Sequence, residues 1–162
     1  MAAARKRITT PDGTVAELVE TVPAEPPARG SARHKARKRA LDILFEADLR
    51  GSDAGEALTL HTAQADPPVR PLTADLVLGV TARQPEIDAL IADALAAGWT
   101  LDRMPRIDRC VARIAIWEML SGTSSAEVAV QQAVQLAQEL STDDSPAFVN
   151  GVLAKVREKL AG

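Results

Sequence analysis

From residue 31 to the C-terminus, apolar residues recur at intervals of three and four, and this spacing constrains the fold more than any other feature of the sequence. Positions i, i+3, i+4 and i+7 lie on one face of an α-helix, so such a stripe marks an amphipathic helix. A half-buried strand would alternate apolar and polar residues, and no such alternation or fixed-period repeat is present. The pattern predicts an all-α bundle of about seven helices in two packed helical subdomains.

Capping residues, prolines and glycines set the boundaries of the predicted helices. The first is expected from an N-cap at Ser31 to about Arg50, with Gly51 as its stop. The next three are expected from Asp53 to about Ala65, from Thr73 to Arg83 and from Glu86 to Ala97; the last three begin near Pro105, Ser124 and Ser145. The helix after Pro105 is the most apolar, which places it at the centre of the bundle.

The first thirty residues differ from the rest of the chain. Four prolines and two glycines interrupt them, and their apolar residues follow no pattern. A segment of this composition buries too little apolar surface to offset the entropy of ordering. Residues 1–30 are therefore predicted to be a disordered tail, and residues 31–162 to form one helical domain.

Composition excludes several functional classes. One cysteine and two histidines leave no material for a cysteine-bound zinc site, and we expect no metal and no cofactor. Phosphate-binding glycine loops, nucleophile elbows and metalloprotease motifs are absent, so the chain is not expected to be an enzyme. No apolar run approaches the roughly 18 residues of a membrane span, and the basic N-terminus lacks the apolar stretch of a signal peptide. A cytoplasmic location is predicted.

Basic residues are concentrated at the start of the first predicted helix. Six of the 19 lie between positions 29 and 39 with no acid among them: Arg29, Arg33, Lys35, Arg37, Lys38 and Arg39. The other 13 basic residues face 22 acidic ones, so an acidic protein carries one dense basic patch. Such a patch attracts polyanions, although a solvated helix end that aids solubility explains the charges equally well.

The position of these charges favours a ligand. Cations near a helix N-terminus oppose the helix dipole, so a sequence selected for helix stability alone would avoid them. We therefore expect the helix start to order against an anion such as a nucleic-acid backbone. The same reasoning predicts that glutamate at positions 33 and 37 abolishes nucleic-acid binding without lowering Tm. Phe45, later in the helix, could stack on a base or pack in the core.

Several other features have structural interpretations. Asp143 and Asp144 precede the last helix, where acids cap. Arg109 and Arg113 are one turn apart and indicate a salt-bridge network, and Cys110 is expected to be a buried small hydrophobe. Gly151 lies within a helical stripe, which a close approach of two helices would explain.

Four segments together resemble the NusB family of bacterial transcription antitermination factors. They are RHKARKRALDILF (33–45), WTLDRMPRIDRCVARIAIWE (99–118), VAVQQAVQLA (128–137) and DSPAFVNGVL (144–153). The resemblance spans about residues 32–156 and implies seven helices in two subdomains, in agreement with the periodicity.

The resemblance also implies a function. Members of this family bind boxA RNA together with NusE, a small-subunit ribosomal protein, in an antitermination complex on RNA polymerase. The RNA-binding residues it implies, with the neighbouring members of the basic patch, are Arg33, His34, Lys35, Arg37, Lys38, Phe45, Asp144 and Phe148. Asp144 would accept hydrogen bonds from base edges. A homodimer is left open, as is a helical protein-interaction module that does not bind RNA on its own.

Overall fold

The computed structural model describes residues 31–64 and 68–162 in full, and only the backbone of residues 4–9 and 15–20. Within these residues the chain forms six α-helices and a 3₁₀ turn at Leu101–Arg103. The helices are α1 (Ala32–Arg50), α2 (Ala54–Gln64), α3 (Pro71–Ala94), α4 (Arg106–Ser121), α5 (Ala126–Leu140) and α6 (Ser145–Ala161). The predicted all-α class is confirmed.

The third and fourth predicted helices are one continuous element, α3, with a kink. Arg83 has non-helical dihedral angles (φ −117°, ψ 16°), and Pro85 follows two residues later. Proline lacks a backbone N–H and its ring clashes with the carbonyl four residues before it, so the helix bends there. The predicted boundary is therefore present as a bend, which accounts for six helices in place of about seven.

Two short strands lie in the N-terminal segment. β1 (Ala4–Thr9) pairs antiparallel with β2 (Val15–Glu20), with Ala4 opposite Glu20. Pro11 and Gly13, interpreted above as breaks in a disordered tail, lie between them in the sequence and are residues typical of turns. The other parts of the predicted tail, including Arg29, lie outside the described residues.

Helix α4 is central, as predicted, but it is not the most apolar helix, because four of its ten buried residues are charged. It packs against α1, α3, α5 and α6, and all six helices contribute to one hydrophobic cluster. Helices α3 and α4 approach closely at Gly79, where an added Cβ would lie 2.0 Å from Cε2 of Trp117. Gly151 has the opposite environment, since it is exposed and no atom lies within 4 Å of a Cβ built there. The expected close helix approach at Gly151 is therefore wrong.

Two helix starts are displaced by one residue from their predicted caps. Ser125, not Ser124, caps α5 and accepts a hydrogen bond from the Val128 N–H at 3.2 Å. Asp144, not Ser145, precedes α6, and its side chain makes no capping hydrogen bond. The Ser145 hydroxyl instead donates to the buried Asp108 at 2.8 Å, which fixes the start of α6 on α4.

The predicted salt-bridge network on α4 is present. Arg109 donates to Asp48 at 2.7 Å, and Arg113 donates to Asp88 at 2.8 Å, so α4 is tied to α1 and α3. Burial alone raises the pKa of Asp48, but the hydrogen bond and charge of Arg109, with Arg113, outweigh it and lower the pKa. Cys110 is fully buried, and burial raises its thiol pKa to about 11.

In the part of the chain described, no helix is long and apolar enough to span a membrane.

Candidate nucleic-acid interface

Helix α1 begins at Ser31, whose hydroxyl accepts a hydrogen bond from the His34 N–H at 3.1 Å. The basic side chains that follow are divided by the helical rotation into accessible and buried groups. Three are exposed and one is partly exposed, and we call them together the α1 basic surface: Arg33, Lys35, Lys38 and Arg39. None of the four has an ion pair within the described residues.

Arg37 lies inside the protein instead. Its side chain is 1% exposed and donates through Nε to Glu118 on α4 at 3.0 Å. One terminal nitrogen donates to the Ser124 hydroxyl at 3.1 Å, and Ser124 in turn donates to Glu118. The expectation that glutamate at position 37 spares the fold therefore fails, because that substitution would bury two carboxylates against each other.

His34 connects the first turn of α1 to the C-terminal end of α5, and Arg33 connects it to the segment between α4 and α5. His34 is buried, and its Nε2 lies 3.3 Å from an Oε of Glu139. Arg33 donates to Ser124 Oγ at 3.3 Å but remains exposed to solvent. Of the expected RNA-binding residues on α1, His34 and Arg37 thus have intramolecular partners, whereas Arg33, Lys35 and Lys38 are accessible.

For Phe45, the sequence left open whether the ring stacks on a base or packs in the core. It is partly exposed and is not among the side chains packed against the hydrophobic cluster. Part of its ring is therefore accessible for stacking, while the rest of the side chain is covered by protein.

A second group of candidate residues lies at the start of α6. Asp144 is exposed, and its carboxylate has no hydrogen bond or ion pair within the described residues. Phe148 is partly buried beneath Trp99, with ring centroids 5.3 Å apart and planes inclined by 42°. The guanidinium of Arg103 lies 5.6 Å from the Trp99 ring centroid. This arrangement offers an acceptor and an exposed aromatic face side by side.

The two groups are connected through α5, not by direct contact. No hydrogen bond or ring contact between described residues joins Asp144 or Phe148 to the α1 basic surface. His34 instead contacts Glu139, five residues before Asp144. The start of α1 and the start of α6 therefore both lie near the C-terminal end of α5. The first is held by the contact between His34 and Glu139, and the second by the hydrogen bond from Ser145 to Asp108.

Sequence reasoning missed two contributors to this surface. Trp99 is 45% exposed and covers Phe148, which a helical stripe did not reveal because Trp99 precedes the 3₁₀ turn. Arg70, at the N-cap of α3, is close to the basic residues of α1 only in the folded chain. Within residues 31–64 and 68–162, no cluster of three or more histidine, cysteine or acidic side chains is suited to hold a metal.

Comparison with known proteins identifies the fold. The model of the NusB family matches residues 34–158. The transcription antitermination protein NusB of Acidothermus cellulolyticus is 55% identical over 131 residues, which cover 80% of this chain and 90% of that protein. A solved structure of T. maritima NusB superposes with a TM-score of 0.71 at 25% identity, covering 80% of this chain and 92% of that one.

The fold also matches a chain in a crystal structure of antitermination factors NusB and NusE in complex with double-stranded RNA. The TM-score is 0.65 at 24% identity, with 80% of this chain and 99% of that one covered. With a family model that spans most of the helical domain and a relative above 50% identity, the chain belongs to the NusB family.

Proposed function

We propose that this protein is a transcription antitermination factor that binds single-stranded boxA RNA together with the ribosomal protein NusE. In this role it is a cytoplasmic, non-catalytic adaptor in an antitermination complex on RNA polymerase. Its relatives at about 50% identity are transcription antitermination proteins, which supports the assignment.

The α1 basic surface is the observation that carries the proposal. Four cations without ion-pair partners in the described region lie on one helix of a protein whose net charge is −3. Cations near the start of α1 oppose the helix dipole, which lowers the stability of the free protein. Contacts between these cations and a phosphate backbone release counterions, which favours RNA binding. Arg33, Lys35 and Lys38 supply this affinity, which does not depend on base identity.

Base discrimination comes from the exposed aromatic and acidic groups. Phe45 offers a ring face beyond the basic surface on the same helix. Asp144 has an unengaged carboxylate that can accept hydrogen bonds from the amino group of a base, and the Trp99–Phe148 pair beside it offers the exposed face of Trp99 for stacking. A carboxylate is a poor phosphate ligand, so its role in an anion site is base recognition.

His34 and Arg37 act on RNA indirectly. The Arg37–Glu118 pair and the His34–Glu139 contact fix the first turn of α1 against α4 and α5. They fix the rotation of α1, which turns Lys35 and Lys38 toward solvent and leaves Arg33 accessible beside Ser124, so we assign them as positioning residues.

NusE is the proposed protein partner, and a homodimer is a further assembly to be tested. Support for NusE comes from the fold shared with the NusB chain of the NusB–NusE–RNA complex. That complex contains double-stranded RNA, whereas a splayed base beside Trp99 and Asp144 requires a single strand.

Fluorescence anisotropy with labelled boxA RNA and a scrambled RNA tests the function, with and without NusE. We expect boxA to bind more tightly, NusE to tighten it further, and Arg33→Ala to weaken both RNAs. Arg157→Ala, an exposed cation on α6, is the matched control and should bind as the wild type does. Weak, equal binding of both RNAs in the presence of NusE would reject this function and favour a protein-interaction module.

A further inference from the structure

A basic pocket lies on the flank of α1, beside the start of α3. Its volume is about 210 Å³, and its lining includes Lys35, Lys38, Arg39 and Arg70. Of these, only Lys35 and Lys38 belong to the RNA-binding residues assigned above. The pocket is therefore a feature that the proposed function does not yet use in full.

The charge balance of the pocket is strongly positive. Four cations line it, and the single acidic side chain among the lining residues is Asp42. Neither Lys38 nor Arg39 forms an ion pair with Asp42 within 4.0 Å, although both charges act on it. Cations held this close together repel one another, and a bound anion relieves that repulsion.

One nitrogen of Arg39 lacks an acceptor among the described residues. Its Nε is covered by protein atoms and has no hydrogen-bond partner there. A covered, unpaired donor costs about 1–3 kcal/mol. Because protein atoms cover Nε, the contribution of Arg39 to the pocket is its positive charge.

The walls of the pocket are held together before any ligand arrives. Thr73, in the first turn of α3, is fully buried and donates its hydroxyl to the Ala36 carbonyl of α1 at 2.9 Å. Arg70 is the N-cap of α3, a helix of 24 residues, and makes no side-chain capping bond. The positive end of the α3 dipole therefore adds to the field of the four cations.

We propose that this pocket binds a phosphate group and that, resting on the proposed function, this is a backbone phosphate of the bound RNA. Lys35, Lys38 and Arg39 belong to both the α1 basic surface and the pocket, so they join the two into one continuous basic surface. The strand passes from Arg33 along α1 to the start of α3. Arg70, outside the basic run of the sequence, is then an RNA-binding residue.

Salt-dependent anisotropy with the boxA RNA tests the proposal, with Arg70→Ala compared against Arg157→Ala. Both substitutions remove one exposed cation, but only Arg70 lines the pocket. Loss of one phosphate contact should weaken binding about fivefold at 0.1 M salt and make the log–log salt slope shallower by about 0.7. Arg157→Ala should leave both quantities unchanged.

Amide chemical shifts recorded during titration with inorganic phosphate form the second arm. We expect shifts at residues 35–42 and 68–73 that Arg70→Ala abolishes. Wild-type binding of boxA with identical slopes for both variants would overturn the pocket and leave the proposed function intact. Phosphate shifts without any RNA binding would overturn the RNA assignment and identify a site for a smaller phosphate compound. The absence of both would overturn the pocket and the function together.

Discussion

Replacing Arg37 with alanine should destabilise the protein because it leaves Glu118 buried without its cation. Both side chains are 1% exposed, and their closest nitrogen and oxygen lie 3.0 Å apart. Removing one partner of a buried pair costs about 3–5 kcal/mol. For a helical domain of this size, at about 4 °C per kcal/mol, Tm should fall by about 12–20 °C.

Two further variants separate this role from RNA contact. Arg33→Ala removes an exposed cation and should change stability by less than about 1 kcal/mol while weakening RNA binding. Replacing Arg37 with methionine and Glu118 with leucine together substitutes apolar groups for the pair, which should recover most of the lost stability. If Arg37 acts only by positioning α1, this double variant should also recover RNA affinity.

Thermal unfolding by circular dichroism and RNA anisotropy on the same samples provide the measurements. The reasoning would be refuted if Arg37→Ala had the Tm of the wild type. It would also be refuted if the double variant were as stable as the wild type but bound RNA as poorly as Arg33→Ala, because Arg37 would then contact RNA itself.

The remaining predictions concern the salt dependence, two glycines and one carboxyl group. With the α1 basic surface and Arg70 as the phosphate-contacting set, the log–log slope of RNA affinity against salt should be about −3.5, from −0.7 per contact, and a slope near zero in anisotropy titrations would contradict it. Gly151→Ala should raise stability by about 1 kcal/mol because its site is open, whereas Gly79→Ala should lower it by about 1–3 kcal/mol through collision with Trp117. Urea titration of the two variants checks both signs, and equal effects would contradict the packing described. The lowered pKa of Asp48 contributes stability that is complete above the unfolded value near 3.9 and is lost as pH falls through the folded value. Asp48→Asn should therefore be less stable than the wild type at pH 7, and the gap should narrow below about pH 4 in unfolding curves; a gap independent of pH would contradict the ion-pair account.

The helical architecture was readable from the sequence because its signals are local. Apolar spacing predicted the position of every helix. Gly51 predicted the end of α1, and Pro85 predicted a boundary that is a bend within α3, because the backbone preferences of glycine and proline do not depend on the rest of the fold. The caps were less readable: Ser124 and Ser125 are chemically equivalent as caps, and only the fold assigns Ser124 to Arg37 and leaves Ser125 to cap α5.

The candidate site was readable in part. A run of basic residues shows that cations are concentrated, but it does not show which of them the helical rotation directs into the protein. Arg37 is buried because Glu118, 81 positions later, lies opposite it, and this pairing has no local signature. Arg70 and Trp99 were missed for the same reason, since their neighbours in the structure are distant in the chain.

Arg37 is buried, whereas Arg33 and Lys35 are exposed. Substitutions within this one short motif are therefore limited by stability at position 37 and by ligand binding at positions 33 and 35. Position 37 can change only together with position 118, so drift there requires a paired replacement. Positions 33, 35, 38 and 39 can each vary without unfolding the chain. Ligand affinity can therefore be altered by single substitutions at these four positions, whereas a change at position 37 is tolerated best together with a change at position 118.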